Sequence, residues 1–163
     1  MIKVGIGQDS HRLSEGNDKP LIMGGVVFGA DYHLEGNSDA DVVLHAITNA
    51  VSGVTGYPVL GEKTDELCRQ GVKDSSMYLR HALSELDEMQ YAVTHLSLSI
   101  ECLRPKISPH IQDMKKEIAG ICSITMQDVA ITATSGEGLT DFGRGMGIQV
   151  FCVLTASRVE KTL

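Results

Sequence analysis

Two polar side chains near the start of the chain are spaced so that they could hold one metal ion. Asp9 and His11 lie two residues apart after a short strand-like run, and residues i and i+2 of a strand point to the same side. His45, at the start of a helical segment, would supply a third ligand. Two imidazoles and one carboxylate suit zinc, and three protein ligands leave a position open for a substrate oxygen. Because an Asp-x-His pair is common, the spacing alone leaves a chance arrangement open.

Asp41 lies four residues before His45 and therefore on the same face of a helix. Its carboxylate could orient a metal-bound imidazole. It could equally be an acidic residue in the first helical turn that complements the helix dipole. The sequence leaves both roles open.

A second polar cluster follows a predicted strand near the C-terminal end. The hydroxyls of Thr134 and Ser135 and the exposed amides around Gly136 could hold phosphate oxygens, and Glu137 could hold a divalent cation such as Mg²⁺. An ordinary turn between a strand and a loop explains the same residues. The glycine-dense stretch at residues 143–147 precedes a strand, so it does not fit a dinucleotide-binding fingerprint.

Two cations flank a proline where another predicted strand closes. Arg104 and Lys106 on either side of Pro105 could frame a nucleotide. A turn with two solvated cations is an equally good interpretation. No set of Ser, His and Asp or of Cys and His that would form a protein nucleophile stands out in the sequence.

Composition limits the classes of function that the chain could have. The 163 residues predict one domain over residues 1–163, and the net charge of −7 argues against nucleic acid as a partner. No apolar run reaches the ~20 residues that span a membrane, so we expect no membrane partner. The four cysteines show no CxxC spacing, which favours reduced thiols and a cytoplasmic location.

Hydrophobic patterning predicts strands and helices mixed throughout the chain. Strands are expected at residues 2–7, 21–28, 93–103, 128–134 and 147–156, and helices at 39–54, 75–89 and 110–122, the first capped by Ser38 or Asp39. Residues 32–37 and 56–74 are expected to be loops. We therefore predict an α/β fold, an α+β sandwich in which helices cover one face of a four-stranded mixed sheet.

Taken together, five segments resemble 2-C-methyl-D-erythritol 2,4-cyclodiphosphate synthases in order and spacing. These segments are residues 5–11, 38–46, 105–111, 133–137 and 143–147. The resemblance implies a homotrimer with active sites between subunits. It also implies Zn²⁺ on Asp9, His11 and His45, and Mg²⁺ or Mn²⁺ on Glu137.

The resemblance further implies a reaction and a set of substrate contacts. In that reaction, the 2-phosphate of 4-diphosphocytidyl-2-C-methyl-D-erythritol 2-phosphate attacks the β-phosphorus, giving the cyclic diphosphate and CMP. Catalytic roles are implied for Asn37 and Ser135. The cytidine pocket would be formed by residues 102–108. The full set of implied substrate-binding residues is Asp9, His11, Asn37, Ser38, Cys102, Leu103, Arg104, Pro105, Lys106, Ile107, Ser108, Thr134, Ser135, Gly136, Glu137 and Arg144, with Asp65 and Phe142 as further candidates.

The chain also departs from the family pattern. Many members carry histidine where Asn37 stands, and asparagine can donate a hydrogen bond but carries no charge. The usual motif at residues 56–65 is replaced by a different sequence. Two other functions therefore stay open: a zinc-dependent phosphodiesterase on the same scaffold, and a non-catalytic metal-containing binding protein.

Overall fold

The central element of the fold is a mixed sheet with the strand order β4-β1-β7-β5-β6. The computed structural model describes residues 1–159, so the last four residues of the expected single domain lie outside the described residues. The sheet strands are β1 (Ile2–Glu15), β4 (Tyr32–Leu34), β5 (Tyr91–Glu101), β6 (Val129–Thr134) and β7 (Gly147–Arg158), and β5 and β6 are parallel while the other neighbours are antiparallel.

The expected four-stranded sheet is wrong, because the sheet has five strands. β1 runs to Glu15 rather than ending at Gly7, and its last three residues pair with β4. Residues 32–37 were expected to be a loop, but their first three form β4. A three-residue edge strand is too short to show an alternating pattern, which is why the sequence does not reveal it.

The segment predicted as one glycine-kinked strand is instead a small hairpin. β2 (Leu21–Met23) and β3 (Val26–Phe28) pair antiparallel outside the main sheet. Gly24 and Gly25 connect them with φ angles of 60° and 77°. Two consecutive residues with positive φ form the tight turn that matches the twist of a hairpin, and glycine adopts it without steric cost.

Four helices accompany the sheet: α1 (Val42–Thr55), α2 (Glu62–Arg69), α3 (Ser75–Glu88) and α4 (Ile111–Cys122). The expected start of α1 at Asp39 is wrong, because its cap is Asp41, whose carboxylate accepts hydrogen bonds from the amides of Val43 and Leu44. The cap of α3 is Asp74, whose carboxylate accepts a hydrogen bond from the amide of Ser76, and Pro109 lies in a short 3-10 turn, Ser108–His110, that leads into α4. Among residues 1–159, no helix is both long and apolar enough to cross a membrane.

Residues 56–74 were expected to be irregular, yet they contain α2. This helix is polar, and Thr64 is its one buried residue, so it lacks the apolar stripe by which helices are recognised. The Thr64 hydroxyl accepts from the amide of Gly61 and donates to the Gly61 carbonyl, at 3.0 and 2.9 Å. These bonds fix the first turn of α2 in place of an apolar face.

The core lies between one face of the sheet and the helices. Leu96, Leu98 and Ile100 of β5 are buried there, while Ser97 and Ser99 between them are exposed. A bulge between Val93 and His95 shifts the alternation, so that Val93 is buried on the same side as Leu96. Val93 and His95, two residues apart, therefore do not share one face of the strand.

Candidate active site

The side chains of Asp9, His11 and His45 meet at one point between β1 and α1. His11 Nε2 lies 2.9 Å from Asp9 Oδ2 and 3.2 Å from His45 Nδ1. His45 Nδ1 lies 3.1 Å from the same carboxylate oxygen. A tetrahedral zinc ion with ligand bonds of about 2.0–2.1 Å would separate its ligand atoms by roughly 3.3 Å. The three donor atoms therefore form a triangle of nearly the size that such an ion requires.

Each imidazole makes a second hydrogen bond away from the triangle. His11 Nδ1 lies 2.7 Å from the carbonyl oxygen of Glu35, so it carries the proton and leaves Nε2 free as a ligand. His45 Nε2 lies 2.8 Å from the hydroxyl oxygen of Ser75. Both rings thus present one nitrogen to the metal position and are held from behind by the other.

Asp41 does not orient His45, so the first of its two possible roles is wrong. Its carboxylate accepts hydrogen bonds from the amides of Gly24 and Gly25 at 2.8 and 2.7 Å, in addition to those at the start of α1. Burial raises the pKa of Asp41 to about 6, although these amides favour the ionised form. Asp41 therefore ties the β2–β3 turn to α1.

The electrostatics of the triad are those of a site that attracts positive charge. Burial alone would raise the pKa of Asp9, but the imidazoles of His11 and His45 beside its carboxylate outweigh burial and lower that pKa to about 2. Burial would lower the pKa of His11, but its hydrogen bond with Asp9 reverses the direction and raises it. A dication bound by these groups would compete with protons for them, so metal binding should depend on pH.

The triad opens into a cavity of about 290 Å³. Two of the expected substrate-binding residues, Asn37 and Ser38, line this cavity, and so does the further candidate Asp65 of α2. Lys19 holds the loop that carries them, because its ammonium group donates to the carbonyls of Gly36 and Ser38 at 3.0 and 2.9 Å. The open coordination position thus faces a space large enough for part of a small substrate.

The expected nucleotide-binding residues gather around a different cavity, of about 370 Å³. It is lined by Cys102, Leu103, Pro105, Lys106, Ile107, Ser108, Ala133, Thr134 and Ser135. The amide of Cys102 donates to the carbonyl of Thr134 at 3.1 Å, which joins the two segments. The structure therefore brings residues 102–108 and the predicted phosphate-binding hydroxyls together.

Some expected substrate residues have other contacts in the isolated chain. Arg104 lies over the ring of Tyr32, 5.0 Å from its centroid. Arg144 donates to Asp141 at 2.6 Å and to the Gly138 carbonyl at 3.1 Å. Phe142 and His11 line a third cavity of about 230 Å³.

Glu137 lies exposed on the loop after β6, with an unusual backbone. Its φ of 50° and ψ of 30° are left-handed values that side-chain-bearing residues rarely adopt. Beside it, Gly136 has a φ of 68°, and a Cβ there would fall 3.0 Å from the backbone Cα of Gly143, so glycine is strongly favoured at this position. The Glu101 carboxylate accepts a hydrogen bond from Thr140, which fixes the loop that presents Glu137.

Within one chain, the two cavities are separated. Asp9 of β1 is paired with Val150, Val150 with Ile100, and Ile100 with Ala133. Three strand spacings of about 4.8 Å place Asp9 and Ala133 roughly 14 Å apart. The cavities share no lining residue.

Comparison with known proteins identifies the family. The model of the YgbB family matches residues 2–157. The chain belongs to the YgbB family. It is 50% identical over 155 residues to the 2-C-methyl-D-erythritol 2,4-cyclodiphosphate synthase of Chlamydia muridarum, which covers 94% of this chain and 86% of that protein. The resemblance drawn from the sequence motifs is therefore confirmed.

Solved structures agree with the membership in the YgbB family. The bifunctional IspDF of Campylobacter jejuni matches with a TM-score of 0.89 and 25% identity, covering 98% of this chain and 43% of that longer one. A CDP-bound 2C-methyl-D-erythritol-2,4-cyclodiphosphate synthase matches with a TM-score of 0.83 and 25% identity, covering 95% of this chain and 100% of that one.

The sequence did not predict several residues that surround the triad and the 290 Å³ cavity beside it. Thr64, Cys68 and Tyr78 line the metal-side cavity, and Ser75 contacts His45. The first two lie on the polar helix α2, whose sequence gives no helical signal. Ser75 is the first residue of α3, and its contact with His45 depends on how α3 packs on α1.

Proposed function

We propose that the chain is a 2-C-methyl-D-erythritol 2,4-cyclodiphosphate synthase, a phosphorus–oxygen lyase of the non-mevalonate isoprenoid pathway. It converts 4-diphosphocytidyl-2-C-methyl-D-erythritol 2-phosphate to the cyclic diphosphate and CMP. The family membership and the 50% identity to a named synthase support this. The observation that carries it is the three-ligand site that opens into a cavity lined by Asn37 and Ser38. The comparisons do not favour the phosphodiesterase or the non-catalytic binding protein.

The chemistry requires positioning rather than a protein nucleophile. The 2-phosphate oxygen forms a bond to the β-phosphorus, the bond from that phosphorus to the bridging oxygen breaks, and CMP leaves with the electron pair. The enzyme must fold the substrate so that these groups meet, and must offset their negative charge. Asn37 can donate an amide N–H to a phosphate oxygen beside the triad, and Ser135 can donate its hydroxyl from the other cavity.

Two divalent cations complete the proposed site. Asp9, His11 and His45 would hold Zn²⁺, because their donor set and spacing fit a tetrahedral ion. Glu137 would hold Mg²⁺ or Mn²⁺, as an exposed carboxylate on the loop next to the phosphate-binding hydroxyls. When bound, such cations act as Lewis acids on phosphoryl oxygens and neutralise charge. That neutralisation lets a chain of net charge −7 bind a polyanion.

The active enzyme is proposed to be a homotrimer with sites shared between subunits. One face of the sheet is uncovered in the single chain and carries Ile2, Val4 and Ile6, exposed by 71%, 63% and 68%, beside Phe151 and Val153. Apolar patches of this kind mark protein interfaces. The separation of the two cavities in one chain further supports a site in which neighbouring subunits each supply one half.

Sedimentation tests the assembly. The wild-type protein should sediment as a trimer at micromolar concentration, and Ile6→Lys should shift it toward the monomer. Val27→Lys is the matched control, because Val27 is also exposed, by 62%, but lies on β3, away from the sheet face. A stable wild-type monomer would refute the trimer.

Location and remaining partners follow as proposals from the same evidence. Four free cysteines support a reducing compartment, so we place the enzyme in the cytoplasm. The identity to a named synthase supports a small-molecule, cytidine-diphosphate-linked substrate. The net charge of −7 argues against nucleic acid as a partner, and we propose no membrane partner. One catalytic domain over residues 1–163 is supported by the family match to residues 2–157.

Product analysis tests the proposed reaction. Incubation of the purified protein with substrate, Zn²⁺ and Mg²⁺ should give a cyclic diphosphate and stoichiometric CMP, both identified by phosphorus NMR. Release of CMP with an open-chain phosphate product would instead indicate a phosphodiesterase. Lack of any turnover by a correctly folded, metal-loaded protein would indicate a binding protein.

A further inference from the structure

Behind the metal triad, the hydroxyl of Ser75 connects His45 to Asp39. Ser75 Oγ lies 2.8 Å from His45 Nε2 and is hydrogen-bonded to Asp39 Oδ1. Ser75 is completely buried, and His45 is 8% exposed. Ser75 is the first residue of α3, and Asp39 lies just before α1. The connection therefore joins the ends of two helices at the back of the imidazole.

The number of protons on these groups determines the direction of each hydrogen bond. A carboxylate accepts, so the single proton of the Ser75 hydroxyl is donated to Asp39. The Ser75 oxygen can then accept from His45 only if the proton of the neutral imidazole is on Nε2. That tautomer leaves the lone pair on Nδ1, the atom 3.1 Å from Asp9 Oδ2 and 3.2 Å from His11 Nε2.

We infer that Ser75 and Asp39 are positioning residues that hold His45 in the tautomer and orientation required for metal binding. The inference rests on the proposed metal site and extends it to two residues that lie outside the ligand set. Hydrogen-bonded partners behind a ligating histidine typically change metal affinity by about 10–100-fold.

Asp39 is itself held by hydrogen bonds to backbone groups near the starts of α1 and α3. Its Oδ2 accepts from the amide of Ser75 at 3.0 Å, and its Oδ1 accepts from the amide of Asp41 at 3.2 Å. Its own amide donates to the carbonyl of Lys73 at 2.9 Å. The acceptor that orients the Ser75 hydroxyl is thus immobile, as a positioning role requires.

The alternative is that Ser75 and Asp39 only clamp α1 to α3. A clamp would affect the unfolding of the metal-free protein, but it would leave the affinity of the folded site for zinc unchanged. Zinc affinity and the tautomer of His45 therefore separate the two roles, whereas activity alone would not.

The test compares four variants of the full chain, of which three change Ser75 or its neighbour Ser76 and the fourth changes Asp39. Zinc affinity is measured by competition with a chromophoric chelator. Ser75→Ala should weaken zinc binding by about 10–100-fold, while Ser75→Thr, which keeps the hydroxyl, should recover most of the loss. Ser76→Ala is the matched control, because Ser76 is the next residue of α3 and its side chain has no hydrogen bond to the triad; it should bind zinc like the wild type.

Long-range ¹H–¹⁵N NMR of the metal-free protein gives the tautomer of His45 directly. The wild type should show the proton on Nε2, and Ser75→Ala should show a mixture of tautomers. Asp39→Asn tests the same positioning role from the other end of the connection. In either orientation, the amide N–H₂ group of asparagine would face the backbone N–H of Ser75 or of Asp41, so the side chain would shift. This variant should bind zinc at least about tenfold more weakly than the wild type.

Three results would be decisive against the inference. If Ser75→Ala and Asp39→Asn bound zinc within twofold of the wild-type affinity but unfolded at a lower temperature, the two residues would be a structural clamp only. An unchanged His45 tautomer in Ser75→Ala would remove the positioning role. Failure of the wild type itself to bind zinc would overturn the proposed metal site, and this inference with it.

Discussion

Gly7 of β1 and Ala46 of α1 lie closer together than any side chain on Gly7 would allow. A Cβ on Gly7 would fall 2.1 Å from the carbonyl oxygen of Ala46 and 2.4 Å from the amide nitrogen of Ala50. A Cβ on Gly5, two residues earlier, would likewise fall 2.0 Å from the carbonyl oxygen of Ala50. The helix therefore rests on the bare backbone of the strand, and this contact brings His45 over Asp9.

Gly7→Ala should destabilise the protein and loosen the metal site. Since the obstructing atoms are backbone, α1 must move, which costs about 1–3 kcal/mol; for a chain of this size the unfolding temperature should fall by roughly 3–10 °C. Zinc affinity should fall as well, because the shift of α1 carries His45 away from Asp9. Calorimetry and chelator competition measure the two effects.

Gly120→Ala is the matched control for this prediction. Gly120 lies inside α4, and a Cβ there meets no atom within 4 Å. Alanine should therefore stabilise the helix, by roughly 1 kcal/mol, without a change in zinc binding. Equal effects of the two substitutions would show that the close contact of Gly7 does not hold the site.

The parts of the site that follow from local periodicity could be predicted from the sequence. Asp9 and His11 share one side of a strand because strand side chains alternate, and His45 lies on a helix whose apolar stripe is continuous. The strand β4 and the polar helix α2 could not be predicted, since neither carries an apolar pattern. The position of β4 is set by its pairing with β1, and the first turn of α2 is fixed by the hydrogen bonds of the Thr64 hydroxyl with Gly61.

The contact between Ser75 and His45 likewise could not be predicted from the sequence. The two residues are thirty positions apart, and they meet because α3 packs beside α1. Along the chain, the acidic residue near His45 is Asp41, and the sequence leaves open whether it orients His45 or complements the helix dipole. Local spacing cannot show that the Asp41 carboxylate is already occupied by four backbone amides.

The thiols should differ sharply in their reaction with iodoacetamide. Burial raises the pKa of Cys102 to about 11 and the pKa values of Cys122 and Cys152 to about 12. The reactive species is the thiolate, and at pH 8 these three groups are protonated, with a thiolate fraction of about 0.1% or less. Cys68 is only half-buried, so it should be labelled first.

Peptide mapping after timed alkylation measures this order, and labelling of the three buried thiols should accelerate as pH rises from 8 to 10. The Cys68→Ser variant should incorporate almost no label at pH 8 until it is unfolded. Rapid labelling of Cys122 or Cys152 in the folded protein at pH 8 would contradict their burial beneath the helices.

Glu137→Gln should lose turnover while its zinc content stays that of the wild type. The attacking 2-phosphate is already anionic near neutral pH, so no base is required. A carboxylate beside phosphate-binding hydroxyls would repel the diphosphate unless a cation lay between them. The amide keeps one oxygen ligand without the charge, so raised Mg²⁺ or Mn²⁺ should recover part of the activity.

Glu117→Gln is a control for this change, because Glu117 is an acidic residue of α4 on the β2–β3 side of the fold; its activity should match the wild type. If the activity of Glu137→Gln did not change with the concentration of Mg²⁺ or Mn²⁺ but returned at higher pH, Glu137 would have a role in proton transfer instead.

The cavity at residues 102–108 should prefer cytidine nucleotides. Its side chains offer few partners for a base, since Leu103 and Ile107 are apolar and the thiol of Cys102 lies 3.6 Å from the Pro105 carbonyl, to which it donates. Backbone groups must therefore read the base, and their fixed pattern of donors and acceptors distinguishes the 4-amino group of cytosine from the 4-oxo group of uracil. Calorimetry should show CMP or CDP binding at least about tenfold more tightly than the uridine or adenosine analogues.

Lys106→Ala separates base recognition from charge attraction. Lys106 lines the same cavity with an exposed cation, which can attract the phosphate of any nucleotide but cannot read a base through the backbone. Lys106→Ala should weaken the binding of CMP and of UMP by similar factors, so the ratio of their two dissociation constants should stay unchanged. Equal affinities of the wild type for CMP, UMP and AMP would show that residues 102–108 do not select cytidine.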